Sequence, residues 1–350
     1  MTLARELADT AGKQLSERNK LINGDFQVIQ RGANHVSTVF YNNNDTVYTL
    51  DRWQLFSDGN DIVDVTQETT NVPTNGLYAI ALDVETANKK FGIAQKIEQK
   101  NCVDLIGNEV TLSFKAKVSS TTNLDNVKCA IIAWDGTADT LTDDMISAWG
   151  AEGTDPTLAT NYTYENTPAN LNLTTSYATY TTTATIDTSG AKNVVVFIWS
   201  DVTTTSTGEF LYITDIQLEK GAGSTPFERK NYQQQLRDCL RYFERRFAQE
   251  INNERLAYGM SQNSNAAQFE FYQKVDKFKI PTLHALDISN ATTYDGGTRG
   301  ISNLTMAEAG KNYCNMAATG LSGTALGRAI QLTRNGTASP GPTIALDAEI

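Results

Sequence analysis

The sequence predicts a mainly β protein: a jelly-roll β-sandwich over 21–229, a connecting α-helix over 230–249 and a smaller C-terminal β domain over 250–350. Three patterns lead there. In VTLSFKAKV, Val110, Leu112, Phe114, Ala116 and Val118 fall on one face while Thr111, Ser113, Lys115 and Lys117 fall on the other, the alternation of a strand buried on one side. KCAIIAW (128–134) and NVVVFIW (193–199) are nearly continuous apolar runs set among turns rich in Gly, Asn, Asp and Thr, as in an antiparallel sandwich. From Asn231 to Gln249 the period turns helical, with Tyr232, Leu236, Cys239, Leu240, Phe243 and Phe247 along one face.

In chain order, residues 1–20 carry Leu3, Leu7, Ala11 and Leu15 at four-residue spacing, the stripe of a short amphipathic helix. A helix of that length does not persist alone in water, so the stripe is either a docking segment or a frayed tail. The β-branched and aromatic composition of strands then holds from Leu21 to about Arg229. FLYITDIQL (210–218) follows a Gly-containing turn, and the Thr- and Asn-rich stretch 137–186 combines a long excursion, ending near Pro168, with the strand-like SYATYTTTATI. Beyond the helix, QFEFYQKVDKFKI leads into Pro281, TLHALDI and a Gly-, Asn- and Thr-rich tail that closes with TIALDAEI. No internal repeat of fixed period is present.

The chain's 350 residues suffice for two or three domains that fold without disulfide or metal support. With 29 basic against 40 acidic side chains the net charge is -11, which repels nucleic acid and anionic lipid at long range. No apolar run is long enough for membrane insertion, and the N-terminus lacks the apolar core of a secretory signal. Cys102, Cys129, Cys239 and Cys314 show no metal-ligand spacing and read as buried free thiols.

Only two histidines are available for acid–base work, His35 in a loop and His284 in a strand. There is no G-x-S-x-G elbow, P-loop or dinucleotide turn, so no catalytic residue and no cofactor is assigned. Asp135, Asp139, Asp143 and Asp144 do not have the spacing of an EF-hand and read as solvated carboxylates, with a Ca²⁺ site as the lesser alternative. Trp134 and Trp149 flank that acidic loop: an exposed indole beside carboxylates makes a sugar platform, although burial in the core is the commoner fate of a large aromatic.

Several segments together resemble a family of bacteriophage virion proteins, comprising tail fibres, receptor-binding proteins and minor structural proteins. The resemblance rests on LINGDFQVIQRGA (21–33), LDRWQL (50–55), ITDIQLEKGAGSTPFERKNYQQQLRDCLRYFER (213–245) and the closing LDAEI. Ile29 stands where many relatives carry Trp, and Lys220 where many carry Glu. The resemblance implies a jelly roll similar to carbohydrate-binding sandwiches, then a helix and a C-terminal β domain, in a trimeric appendage. Gly24 and Gly32 are expected at positions of positive φ, Pro226 and Phe227 at the close of the sandwich, and Trp53 in the core, with Asp51 and Arg52 fixing the strand edge.

The function expected is that of a non-enzymatic virion structural protein of tail fibre or appendage type that attaches to host-surface glycan. The alternatives are a polysaccharide-degrading tailspike and a head or neck decoration protein. A homotrimer is expected, with Tyr232, Leu236, Leu240, Phe243 and Phe247 at its axis. Leu3, Leu7 and Leu15 would attach to other virion proteins, and Tyr294 and Arg299 would be ligand anchors in the outward-facing C-terminal domain.

Overall fold

The computed structural model describes residues 17–38, 41–247, 255–288, 291–334 and 343–350. Leu3, Leu7, Ala11 and Leu15 lie outside the described residues. The chain divides into two compact units, one running to Gln235 and including Ile350, the other running from Leu236 to Glu349.

The first unit contains strands β1 (Asn34–His35), β2 (Gln54–Ser57), β3 (Val63–Glu68), β4 (Ala79–Val84), β5 (Phe91–Ile97), β6 (Glu109–Val118), β7 (Val127–Trp134), β8 (Ile146–Ala148), β9 (Thr157–Leu158), β10 (Tyr162–Tyr164), β11 (Ala178–Thr185), β12 (Asn193–Ser200) and β13 (Phe210–Lys220). They form a six-stranded antiparallel sheet, β1-β3-β4-β13-β6-β11, and a five-stranded one, β10-β7-β12-β5-β2, while β8 and β9 pair as a small ribbon. The two large sheets are the layers of a jelly-roll sandwich. Leu112, Phe114, Ile213 and Leu218 of one meet Ile93, Ile131, Val196 and Ile198 of the other in a single core. The five apolar residues of the β6 alternation all enter that core. By contrast β5, β7 and β12 are buried at every position, so the five-stranded sheet is covered on both faces.

The motif residues near the N-terminus tie this sandwich together. Trp53 is fully buried, its indole N–H donating to the Asn23 carbonyl at 2.9 Å and its ring 5.5 Å from Phe26. Asp51 accepts from the backbone and side-chain nitrogens of Gln30, and Arg52 donates to the Lys96 carbonyl at 2.7 Å. Gly32 has φ +115°, as expected, but Gly24 does not have a positive φ. Gly24 is needed for space: a Cβ there would stand 2.1 Å from the Ile216 carbonyl oxygen, where β13 bulges and Ile216 N–H donates to Gly24 O. The positive φ falls on its neighbours Asn23 and Phe26. His35 also departs from expectation: it is a fully buried residue of β1, not a loop residue.

The helix is shorter than the sequence predicts. It spans Tyr232–Leu240, and after a turn the chain forms a strand, β14 (Phe243–Phe247), which pairs with β23 (Thr343–Asp347). A four-residue interval suits both geometries, because i and i+4 share a face in a helix and in a strand alike, so Phe243 and Phe247 could not decide between them. Pairing with the chain's last strand does.

The second unit further contains β15 (Arg255–Asn263), β16 (Ala266–Tyr272), β17 (Thr282–Asp287), β18 (Ala291–Tyr294), β19 (Thr298–Gly300), β20 (Asn303–Ala309), β21 (Tyr313–Thr319) and β22 (Ala329–Arg334). Strands β14-β23-β17 form a three-stranded sheet and β19-β18-β22-β15-β16-β21-β20 a seven-stranded one. Ile344 and Leu346 of the first share a core with Phe269, Phe271, Cys314, Met316 and Leu332 of the second. Glu244 of β14 forms a wholly buried ion pair with Lys277 beneath the strand at 2.7 Å, and Lys277 also donates to the Leu240 carbonyl.

Candidate functional site

Trp134 and Trp149 both belong to the outer side of the five-stranded sheet, where the register brings Gln54, Ala94, Phe197 and Ala130 into one cross-strand row and Phe56, Gly92, Trp199 and Lys128 into the next. Phe197 and Trp199 stack at 4.7 Å, and Gly92 leaves room for the Trp199 Cβ, which a side chain at residue 92 would meet at 2.6 Å. This aromatic face is not open. The excursion lies over it, placing Trp149 6.1 Å from Phe197, before the chain joins the sheet as edge strand β10, whose Tyr164 stands 6.5 Å from Trp199.

Three lysines hold the excursion: Lys90, just before β5, and Lys96 of β5 by its carbonyls, and Lys128 of β7 by a carboxylate. Lys90 donates to Ala151 O at 2.8 Å and Thr154 O at 3.1 Å, and Lys96 donates to Thr142 O and Asp143 O. Lys128 pairs with Asp155 at 2.7 Å. Wholly buried Asp201 binds Lys90 at 2.5 Å, Lys128 at 3.0 Å and the Gly153 N–H at 2.9 Å.

Trp134 therefore cannot serve as an exposed platform: it is 3% exposed, packed 4.7 Å from Tyr162, with its N–H on Thr137 O. Trp149 is half-buried against the sheet. Nor are the four aspartates gathered into one site. Asp139 accepts from Gln99 N–H and Asn193 Nδ2, and Asp144 caps the Ile146 N–H. Among the described residues no three His, Cys, Asp or Glu side chains converge as metal ligands. The four cysteines are buried and form no disulfide among the described residues, and burial pushes the thiols of Cys102 and Cys129 up to about 12.

The open aromatic surface is in the second unit. Tyr294, predicted from the sequence, sits on the outer face of the seven-stranded sheet in the row Tyr294–Gln331–Tyr258–Glu270–Asn315. The same face carries Met260, Gln268, Tyr272 and Tyr313, the last two paired directly across β16 and β21. Tyr258 and Tyr272 are 60% and 71% exposed, and Tyr294 and Tyr313 are exposed as well. With neighbouring strands about 4.8 Å apart, Tyr258 and Tyr294 stand roughly 10 Å apart across Gln331. The inner residues fix which side chains point out. Phe269 and Phe271 enter the core, so Glu270 and Tyr272 face solvent, and Gly259 lets β15 approach β16 where a Cβ would meet the Gln268 oxygen at 1.8 Å. Tyr272 donates to Glu270 at 3.3 Å, and Arg255 donates to Gln331 at 2.9 Å.

Arg299 is not available in the way the sequence predicts. Its guanidinium pairs with buried Asp295 at 3.1 Å and donates to Ser322 O, bracing the β18–β19 hairpin against the 322 loop. Within the axial stripe, Leu240 and Phe243 are buried inside their own chain, whereas Tyr232 is half exposed and Leu236 partly so. Sequence reasoning missed Tyr258, Tyr272 and Tyr313. The available signal was the alternation of Tyr258 and Met260 about Gly259, and of Phe and polar residues in QFEFY.

The fold places the protein among mainly β proteins with a jelly-roll sandwich. Comparison with protein-family models gives no match, and comparison with curated proteins gives none either. Among solved structures, the enzymatically active domain of tailspike protein 4 of bacteriophage CBA120 is similar at 16% identity and a TM-score of 0.36, over 58% of this chain and 22% of that one. A xylan-binding domain from Paenibacillus barcinonensis is similar at 12% identity and a TM-score of 0.31, over 55% of this chain and 94% of its own. A family 4 carbohydrate-binding module gives 17% identity and a TM-score of 0.32, over 57% and 98% of the two chains. The chain spans about a fifth of the tailspike chain. Scores this low carry no argument about function, and the fold class rests on the strand pairing described above.

Proposed function

We propose that this protein is a non-enzymatic bacteriophage virion component, a tail fibre or similar appendage, that attaches to host-surface glycan through the tyrosine face of its C-terminal sheet. The observation that carries the glycan reading is the make-up of that face. Four exposed tyrosines lie among Gln331, Gln268, Asn315 and Glu270, so ring faces for apolar sugar surfaces alternate with hydrogen-bonding groups for hydroxyls. The amides and the carboxylate make it a poor seat for an apolar partner. The virion assignment is supported by the resemblance of the QRG, DRW and C-terminal segments to phage structural proteins.

In the same reading the chain works as a homotrimer, with the exposed part of the helix, Tyr232 and Leu236, meeting neighbouring copies, and residues 1–20 engage other virion proteins. Binding of purified protein to host lipopolysaccharide and capsular polysaccharide tests the central point. Wild type should bind, and the double variant Tyr258→Ala, Tyr294→Ala should lose at least about tenfold in affinity, two truncated aromatic contacts being worth roughly 1 kcal/mol each or more. Equal binding by the variant would refute the assignment, and release of new reducing ends would refute its non-enzymatic part.

A further inference from the structure

We infer that the first unit carries a separate binding site, for a carboxylate-bearing saccharide, in a cleft on the outer side of its six-stranded sheet. The cleft, of about 530 Å³, is lined by Pro73 and Thr74 of one loop, by Lys115 and Lys117 of β6, and by Ser176 and Tyr177 at the entry to β11.

Its electrostatics set it apart in a chain of net charge -11. Lys115 pairs with Asp215 at 2.9 Å, Asp215 also binds Arg229 at 3.0 Å and Arg229 in turn meets Asp25 at 3.5 Å, so these four charges balance and the unneutralised cation of the cleft is Lys117. Lys117 has no carboxylate partner among the described residues. Its ammonium lies 4.9 Å from the centre of the Tyr212 ring and 5.3 Å from that of Tyr177, with one weak hydrogen bond to Asn71 Oδ1 at 3.3 Å. Two aromatic faces thus hold a cation in place without neutralising it. Tyr177 is itself fixed, its hydroxyl donating to the Asn71 carbonyl at 2.7 Å. Glu68, at the end of β3, accepts from the N–H groups of Thr69, Thr70 and Asn71, which hold it ionised but turned to the backbone and not to Lys117. Asp83, on β4 of the same sheet, faces Asp64 across the strand pair.

The ligand class follows from this inventory. A preorganised ammonium selects an anion, the Tyr177 ring offers apolar surface to a sugar, and Thr74, Ser176 and Thr179 line the walls with hydroxyl-bearing side chains for its hydroxyl groups. This site is independent of the tyrosine face of the second unit.

The probe is trigalacturonate, titrated calorimetrically into the full chain, with maltotriose as the neutral counterpart. Trigalacturonate should bind, maltotriose should bind at least tenfold more weakly, and affinity should fall several-fold as salt rises from about 50 to 200 mM. Lys117→Met should reduce affinity about tenfold or more at unchanged thermal stability, Lys117→Arg should retain most of it, and Tyr258→Ala should leave it unaltered. The inference is overturned if trigalacturonate does not bind, if Lys117→Met binds equally well, or if inorganic phosphate at equal concentration displaces the sugar, which would mark a site for any small anion.

Discussion

His35 carries its proton on Nδ1, because the group 2.7 Å away is the Tyr41 carbonyl, which can only accept. Nε2 is then an unprotonated nitrogen, buried without a partner. Protonating it would place a charge in a dry site beside Arg31, and burial chiefly, with that guanidinium, lowers the imidazole to about 4. An ordinary histidine in the unfolded chain titrates near 6.5, so the unfolded state binds a proton that the folded state refuses. Stability should be complete above pH 6.5 and fall by about 3 kcal/mol on going to pH 4. Urea midpoints followed across that range should show this slope, and His35→Asn should flatten it; an unchanged slope in the variant would assign the acid sensitivity elsewhere. Nothing in the local sequence, Asn34-His35-Val36, distinguishes this residue from a loop histidine. Its burial comes from the pairing of β1 with β3, a contact made 30 residues further along the chain.

Elements show the same limit more broadly. β6 was legible because one face alternates cleanly, and the apolar runs of β7 and β12 announced strands. What a local pattern could not convey is which partner a segment meets: β14 reads as the last turns of a helix until β23 is placed beside it. The tyrosine face was hidden for a related reason, since Tyr258, Tyr272, Tyr294 and Tyr313 come from four strands and share a surface only through the sheet's register. The stability of β14 depends on what lies beneath it. Burial alone would raise the carboxyl of Glu244, but the ammonium of Lys277 and then Arg246 hold it below the usual range. Lys277→Met should cost about 3–5 kcal/mol, because it leaves a buried carboxylate with Arg246 as its remaining cation. Changing Glu244→Gln together with Lys277→Met should recover much of that loss. Denaturant midpoints for the two variants check both statements.

At the scale of the whole molecule, the covered five-stranded sheet explains why a chain with four tryptophans shows no open tryptophan platform on that layer. The lysine clamp fixes the cover, and Asp201 anchors two of its lysines, Lys90 and Lys128. Asp201→Asn should destabilise the first unit by about 3–5 kcal/mol and make the 149–155 segment the first site of proteolytic nicking, read by limited digestion and mass mapping. A different consequence follows from the way the first unit is closed. Asn19 N–H binds the carboxylate of Glu228, 209 residues away, and Lys20 N–H pairs with Leu218 O, so the earliest described residues are seated by the last strand and the turn after it. During synthesis at about 5–20 residues per second, residues 17–20 must wait roughly 10–40 s for these partners to be made. The sandwich is therefore a slow, late-closing structure of high contact order, and a ribosome stalled before residue 218 would carry a chain whose first strands have no finished sheet to join.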